Sequence, residues 1–161
     1  ADDIITEMGL LCLGSRFKRL GERLQGDVAR FLADIGLEVQ PAQYPILVVL
    51  EDGAATIGRL VERVGVSQPG ITRSIARLIE MGLVEPLGRQ RDQRFRTVQL
   101  TDKGRYLVDR SRREVFPRIE AAVDQICGAL RGGLLEQLGG IEAALADASI
   151  DQRARRIVSG E

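Results

Sequence analysis

The segment from Thr56 to Leu100 constrains this chain most, because four short patterned elements follow one another there with almost no spacer. Thr56 can cap a helix over 57–64 that keeps Leu60, Val61 and Val64 on its inner side. Gly65-Val66-Ser67 then reads as a three-residue turn. Ser67 caps a second helix whose first turn tolerates Pro69. Ile71, Ile75, Leu78 and Ile79 fall on one face of it, leaving Gln68, Thr72, Arg73 and Arg77 outside, and Gly82 stops it. Leu83 to Leu87 is a short strand, Gly88 to Arg94 a polar loop, and Phe95 to Leu100 a second strand of alternating character. Two strands across a glycine-containing loop predict a hairpin with a loop longer than a tight turn.

The flanks are helical. Leu13, Phe17, Leu20, Leu24, Val28, Phe31 and Ile35 recur at steps of three and four, which predicts one amphipathic helix from Ile4 to about Ile35. Such a helix would be ~45 Å long at ~1.5 Å per residue, longer than a small domain needs, so self-association is expected. Tyr44 to Leu50 is continuously apolar, and Pro45 favours a helix there over a central strand. Thr101 caps a second long helix from Asp102 to about Leu130, kinked at Pro117. After Gly132-Gly133, a last amphipathic helix carries Leu134, Leu135, Leu138, Ile141 and Leu145, and residues 149–161 are expected to fray. The expected class is mainly α with a small β-hairpin, organised as a helical dimerisation region (1–37 and 102–148), a central domain (38–101) and a tail (149–161).

Composition removes most catalytic chemistry. The chain of 161 residues has no His, which excludes His-based acid–base and nucleophile pairs and most zinc sites. Cys12 and Cys127 lack metal-ligand spacing, and no phosphate-binding loop is present, so neither an enzyme nor a metal or other cofactor is expected. With no Trp, two Tyr and four Phe, a stacking platform for single strands is also disfavoured. No signal peptide or transmembrane run is visible, so a cytoplasmic protein without membrane partners is expected.

Net charge is zero, yet the charge is unevenly placed. Between Thr56 and Arg105 there are ten basic and five acidic residues, so this segment carries +5 and the remainder −5. Local potential steers a protein to phosphate. Two helices, a short turn and a hairpin are the parts of a winged helix-turn-helix, whose second helix fits the DNA major groove. Ser67, Gln68, Thr72 and Arg73 suit base edges there: Gln pairs with adenine, Arg with guanine, and the Thr methyl meets a thymine methyl. Pro69 and Gly70 keep that end slim, and Arg77 and Arg59 are divided between phosphate contact and solvation. Arg89, Arg91, Arg94 and Arg96 would form the wing, where a tip arginine can enter the minor groove. Asp92 is expected to orient a neighbouring guanidinium by bidentate pairing.

The chain resembles the MarR-type transcription regulators. The motif D-x-R-x-x-x-V-x-L-T-x-x-G is met by Asp92, Arg94, Val98, Leu100, Thr101 and Gly104, backed by GVSQPGITRSIARLIEMGLVE. The resemblance spans about residues 42–105, and departs at Pro69-Gly70, where the family more often has small polar residues. It implies an obligate homodimer, built from the first helix and the last two, on a pseudo-palindromic double-stranded operator. It also implies that Arg94 is the minor-groove arginine, supported by Asp92, and that the protein is more often a repressor. Family members commonly bind small anionic or phenolic effectors, for which Arg16 and Tyr44 are the candidate pocket residues. Two other readings stand beside this one. A winged domain can be retained for protein assembly alone, and Cys12 resembles the hydroperoxide-sensing thiols of some family members, although those are paired with tyrosines and no Tyr lies between Cys12 and Tyr44.

Overall fold

The computed structural model describes residues 3–88, 96–128 and 130–156, and the chain divides into two units, Ala1–Phe116 and Pro117–Glu161. The first apolar stripe does not make one helix. A short α1 (Ile4–Glu7) gives way to a 3₁₀ turn (Gly9–Cys12) and then to α2 (Leu13–Asp34). Gly9 has φ +54°, a left-handed conformation that interrupts the α-helical hydrogen bonding and that glycine adopts without a Cβ penalty. A bidentate pair from Arg19 to Asp3, both bonds 2.8 Å, ties α1 back to α2. At 22 residues, α2 extends only ~33 Å.

Tyr44–Glu51 forms α3 with Pro45 in its first turn, so the helical reading of that apolar run holds. Next come β1 (Ala55–Thr56), α4 (Ile57–Val64), α5 (Gln68–Glu80), β2 (Val84–Leu87), β3 (Thr97–Leu100) and α6 (Asp102–Glu114). The sheet is antiparallel in the order β1-β3-β2, with Val84 opposite Leu100, Leu87 opposite Thr97 and Ala55 opposite Val98. The hairpin thus gains a third strand that the sequence did not announce, since two residues cannot display an alternation. β3 also begins later than the pattern predicted, at Thr97. Leu47, Leu50, Leu60, Ile75, Leu78 and Val98 are fully or almost fully buried in this unit, an aliphatic core of the kind the scarcity of aromatics requires.

The expected kink at Pro117 is a break. α6 ends at Glu114, Val115 forms a turn (φ −108°, ψ −58°) whose N–H still donates to the Ser111 carbonyl, and α7 (Phe116–Cys127) restarts with Pro117 in its first turn. Proline lacks the N–H that a continuous helix would need there, and its ring crowds the carbonyl four residues back. In the second unit, α8 (Leu134–Asp147) follows, and then α9 (Ile150–Arg156) occupies part of the tail that was expected to fray. The cause is local. The Ser149 N–H donates to Gln152 Oε1 at 3.0 Å, the reciprocal half of a Ser-x-x-Gln capping box, and Arg153 Nε donates to the Ala148 carbonyl at 2.8 Å.

Candidate nucleic-acid interface

The α4–turn–α5 pair is built by caps at both of its N-termini. Thr56 Oγ accepts the Arg59 N–H at 3.2 Å, and Ser67 Oγ accepts the Gly70 N–H at 3.4 Å. Gly65 supplies the left-handed φ of +72° on which α4 ends. Ile71, Ile75 and Leu78 are buried, and the opposite side of α5 exposes Gln68, Pro69, Thr72, Arg73 and Arg77. Ser67 is also exposed and Gly70 half-buried, so all seven residues predicted for this helix lie at one accessible surface or its edge.

The far end of α5 is fixed by the first turn of α6. Thr101 Oγ donates to the Gly82 carbonyl at 2.6 Å while accepting the Gly104 N–H at 3.0 Å. Lys103 Nζ donates to the Met81 carbonyl at 2.8 Å. Gly104 lies so close beneath the turn that a Cβ there would stand 2.1 Å from the Leu83 carbonyl oxygen. The L-T-x-x-G motif therefore has a structural meaning: it clamps the turn that ends α5. Lys103 was not singled out from sequence, although a cation beside the last carbonyls of a helix is a recognisable signal.

Charge sorts the arginines. Arg77 pairs with Glu80 at 3.2 Å, Arg59 with Glu62 at 3.3 Å, and Arg63 reaches Asp52 at 3.9 Å, all exposed. Arg73 has no acidic partner among the described residues. Of the four wing arginines, Arg96 is described: it is half-buried just before β3, and its carbonyl accepts the Ile57 N–H at 3.2 Å. Arg89, Arg91, Asp92 and Arg94 lie outside the described residues.

The two candidate pocket residues are differently placed. Tyr44 is buried, its hydroxyl 3.0 Å from Ser111 Oγ, and its ring meets Phe116 edge-on with centroids 5.2 Å apart. Burial pushes its phenol above the usual value, opposed in part by the Ser111 hydrogen bond. Arg16 is exposed on α2. An open cleft of about 500 Å³ in this unit is lined instead by residues including Glu38, Met81, Lys103 and Tyr106. Cys12 is half-buried with its thiol 3.6 Å from the Met8 sulfur. Among the described residues no cluster of three His, Cys, Asp or Glu could hold a metal, and no helix is long and apolar enough to cross a membrane.

A capped helix pair with a three-residue turn, followed by a small antiparallel sheet and flanked by long helices, defines the class: a winged helix-turn-helix protein. Residues 37–94 match the model of the MarR family. The matched segment spans α3, β1, α4, α5 and β2. Solved structures agree on the fold. BpsR from Bordetella bronchiseptica, described as regulated in its DNA binding by 6-hydroxynicotinic acid, is 23% identical, with 84% of this chain and 94% of that chain covered and a TM-score of 0.63. A mutant of MarR from E. coli complexed with operator DNA is 20% identical over 91% of this chain and 98% of that chain, with a TM-score of 0.63. The transcriptional repressor CouR, bound to a 23-mer DNA duplex, is 24% identical over 87% and 95%, with a TM-score of 0.60. No curated protein sequence is a significant match.

Proposed function

We propose that this chain is a sequence-specific regulator that binds double-stranded DNA as a homodimer. α5 of each protomer enters a major groove, and the wing carrying Arg89, Arg91, Arg94 and Arg96 enters the adjacent minor groove. The observation that carries this reading is the accessible N-terminal half of α5. Gln68, Thr72 and Arg73, which has no carboxylate partner among the described residues, stand together there, on a helix clamped at both ends. Rigid mounting matters because base-edge hydrogen bonds need fixed donors. Arg77 and Arg59 already have carboxylate partners and suit phosphate contact. Arg94, with Asp92 orienting it, is the proposed minor-groove residue.

The exposed apolar stripe on α2 supports the homodimer, with residues 1–37 and 102–148 as the dimerisation region and 38–101 as the DNA-binding domain. Control by a small ligand is supported by the likeness to BpsR, whose DNA binding is regulated by 6-hydroxynicotinic acid; repression relieved by such a ligand is the mode proposed, with Arg16 and Tyr44 as the residues to probe by mutation. Selection of bound duplexes from a random pool tests the reading directly. A two-fold symmetric site with half-sites ~10 bp apart, centre to centre, is expected. Recovery of no sequence, or of an asymmetric single site, would overturn it. For the wing, Arg94→Ala should lower the slope of log affinity against log salt by about 1 per protomer, and an unchanged slope would remove the wing from the interface.

A further inference from the structure

Val66 stands in the turn between α4 and α5, immediately before the capping residue Ser67. It is apolar and β-branched, yet 45% exposed. Its position is fixed from three sides. Gly65 sets the left-handed entry, Ser67 caps the helix, and Gly70 leaves open the space into which Val66 leans: a Cβ on Gly70 would lie 2.9 Å from Val66 Cγ1. A hydrophobic residue before an N-cap commonly packs against the fourth helical residue, here Ile71. Ile71 is 1% exposed, while 45% of Val66 stays accessible. A β-branched side chain is stiff about χ1, so little conformational freedom is lost when it meets a partner.

Resting on the DNA-binding reading above, we infer that Val66 is a specificity-determining residue that packs against the C5 methyl of a thymine. The argument is one of chemistry and place. Base edges in the major groove offer hydrogen-bonding groups throughout and a single apolar one, the thymine methyl. The N-terminal end of a recognition helix is the part that meets those edges. Val66 puts the exposed hydrocarbon of this turn at that end, beside the polar side chains of Ser67 and Gln68.

The test uses the operator recovered by selection, with each thymine in turn replaced by uracil, which lacks only the methyl. Affinities are measured by fluorescence anisotropy for the wild type, Val66→Ala and Thr72→Ser, the last removing the other candidate methyl contact while keeping its hydroxyl. At one position the wild type should lose about fourfold in affinity per half-site, the value of burying one methyl group. Val66→Ala should lose nothing further there, whereas Thr72→Ser keeps the full loss. Gly70→Ala, which displaces Val66 while raising helix propensity, should reproduce the Val66→Ala pattern with helical content retained by circular dichroism. Equal uracil penalties in wild type and Val66→Ala at every position, or no sensitive position, would overturn the inference. Failure of the wild type to retain any duplex would overturn the DNA-binding reading itself, and this inference with it.

Discussion

Gly104 shows how much of this interface depends on an atom that is absent. The Leu83 carbonyl occupies the place where a Cβ would be, so Gly104→Ala must push α6 away from the turn that ends α5. The expected cost is about 1–3 kcal/mol, as for other overpacked sites, read as a lower urea midpoint with an unchanged slope. From the sequence, Gly104 was visible only as a letter in a motif, because a close backbone approach leaves no periodicity. Tyr44 and Ser111 are the converse case. Neither drew attention as a pair, since 67 positions separate them, yet their hydroxyls meet in the core. Tyr44→Phe alone should cost about 1–3 kcal/mol by stranding a buried hydroxyl, while the double variant with Ser111→Ala should recover much of that loss. Burial holds the Tyr44 phenol above its usual value of 10.0. Its folded-state contribution is therefore complete below pH 10 and declines as pH rises through the raised value. In a Tyr106→Phe background, ultraviolet titration should show the remaining phenol ionising later than in the unfolded chain.

The elements were largely legible because their signals are local. Thr56, Ser67 and Thr101 each cap the helix that follows them, and each accepts the N–H three residues on. Replacing Thr56 or Thr101 with Ala should each cost about 1 kcal/mol in thermal or urea unfolding, with Thr101 the larger because its hydroxyl also donates to Gly82. The misreadings were of two kinds. Gly9 and Pro117 divide helices that the apolar pattern alone would run through, since periodicity reports which face is apolar and not whether the backbone is continuous. β1 and α9 were missed for opposite reasons. A two-residue strand exists only through its partner β3, whereas Ser149 and Gln152 did carry a readable capping signal that the polar tail composition obscured. The two faces of α5 are legible in the sequence, since Ile71, Ile75 and Leu78 are buried and Gln68, Thr72, Arg73 and Arg77 exposed, as the spacing predicts. The sequence already sets Arg73 apart from Arg77 and Arg59, and the structure adds that the latter two pair with carboxylates three positions on, Glu80 and Glu62.

In the first unit as a whole, the apolar stripe of α2 is left partly uncovered. Phe17, Leu20 and Leu24 are each 41–47% exposed, while Leu32, near the end of the same helix, is fully buried. Contiguous exposed apolar surface of this kind marks an association face. Leu20→Asp with Leu24→Asp should shift sedimentation from dimer to monomer and weaken operator binding, since the two half-sites would no longer be read by one particle. A variant that stayed dimeric would place the association face elsewhere. Base reading by α5 is tested by comparing wild type and Arg73→Ala by fluorescence anisotropy on the selected operator and on a random duplex at one salt concentration. A base contact predicts that Arg73→Ala loses about 5–150-fold on the operator, corresponding to ~1–3 kcal/mol, and little on the random duplex. An equal loss on both, or no loss on either, would contradict it.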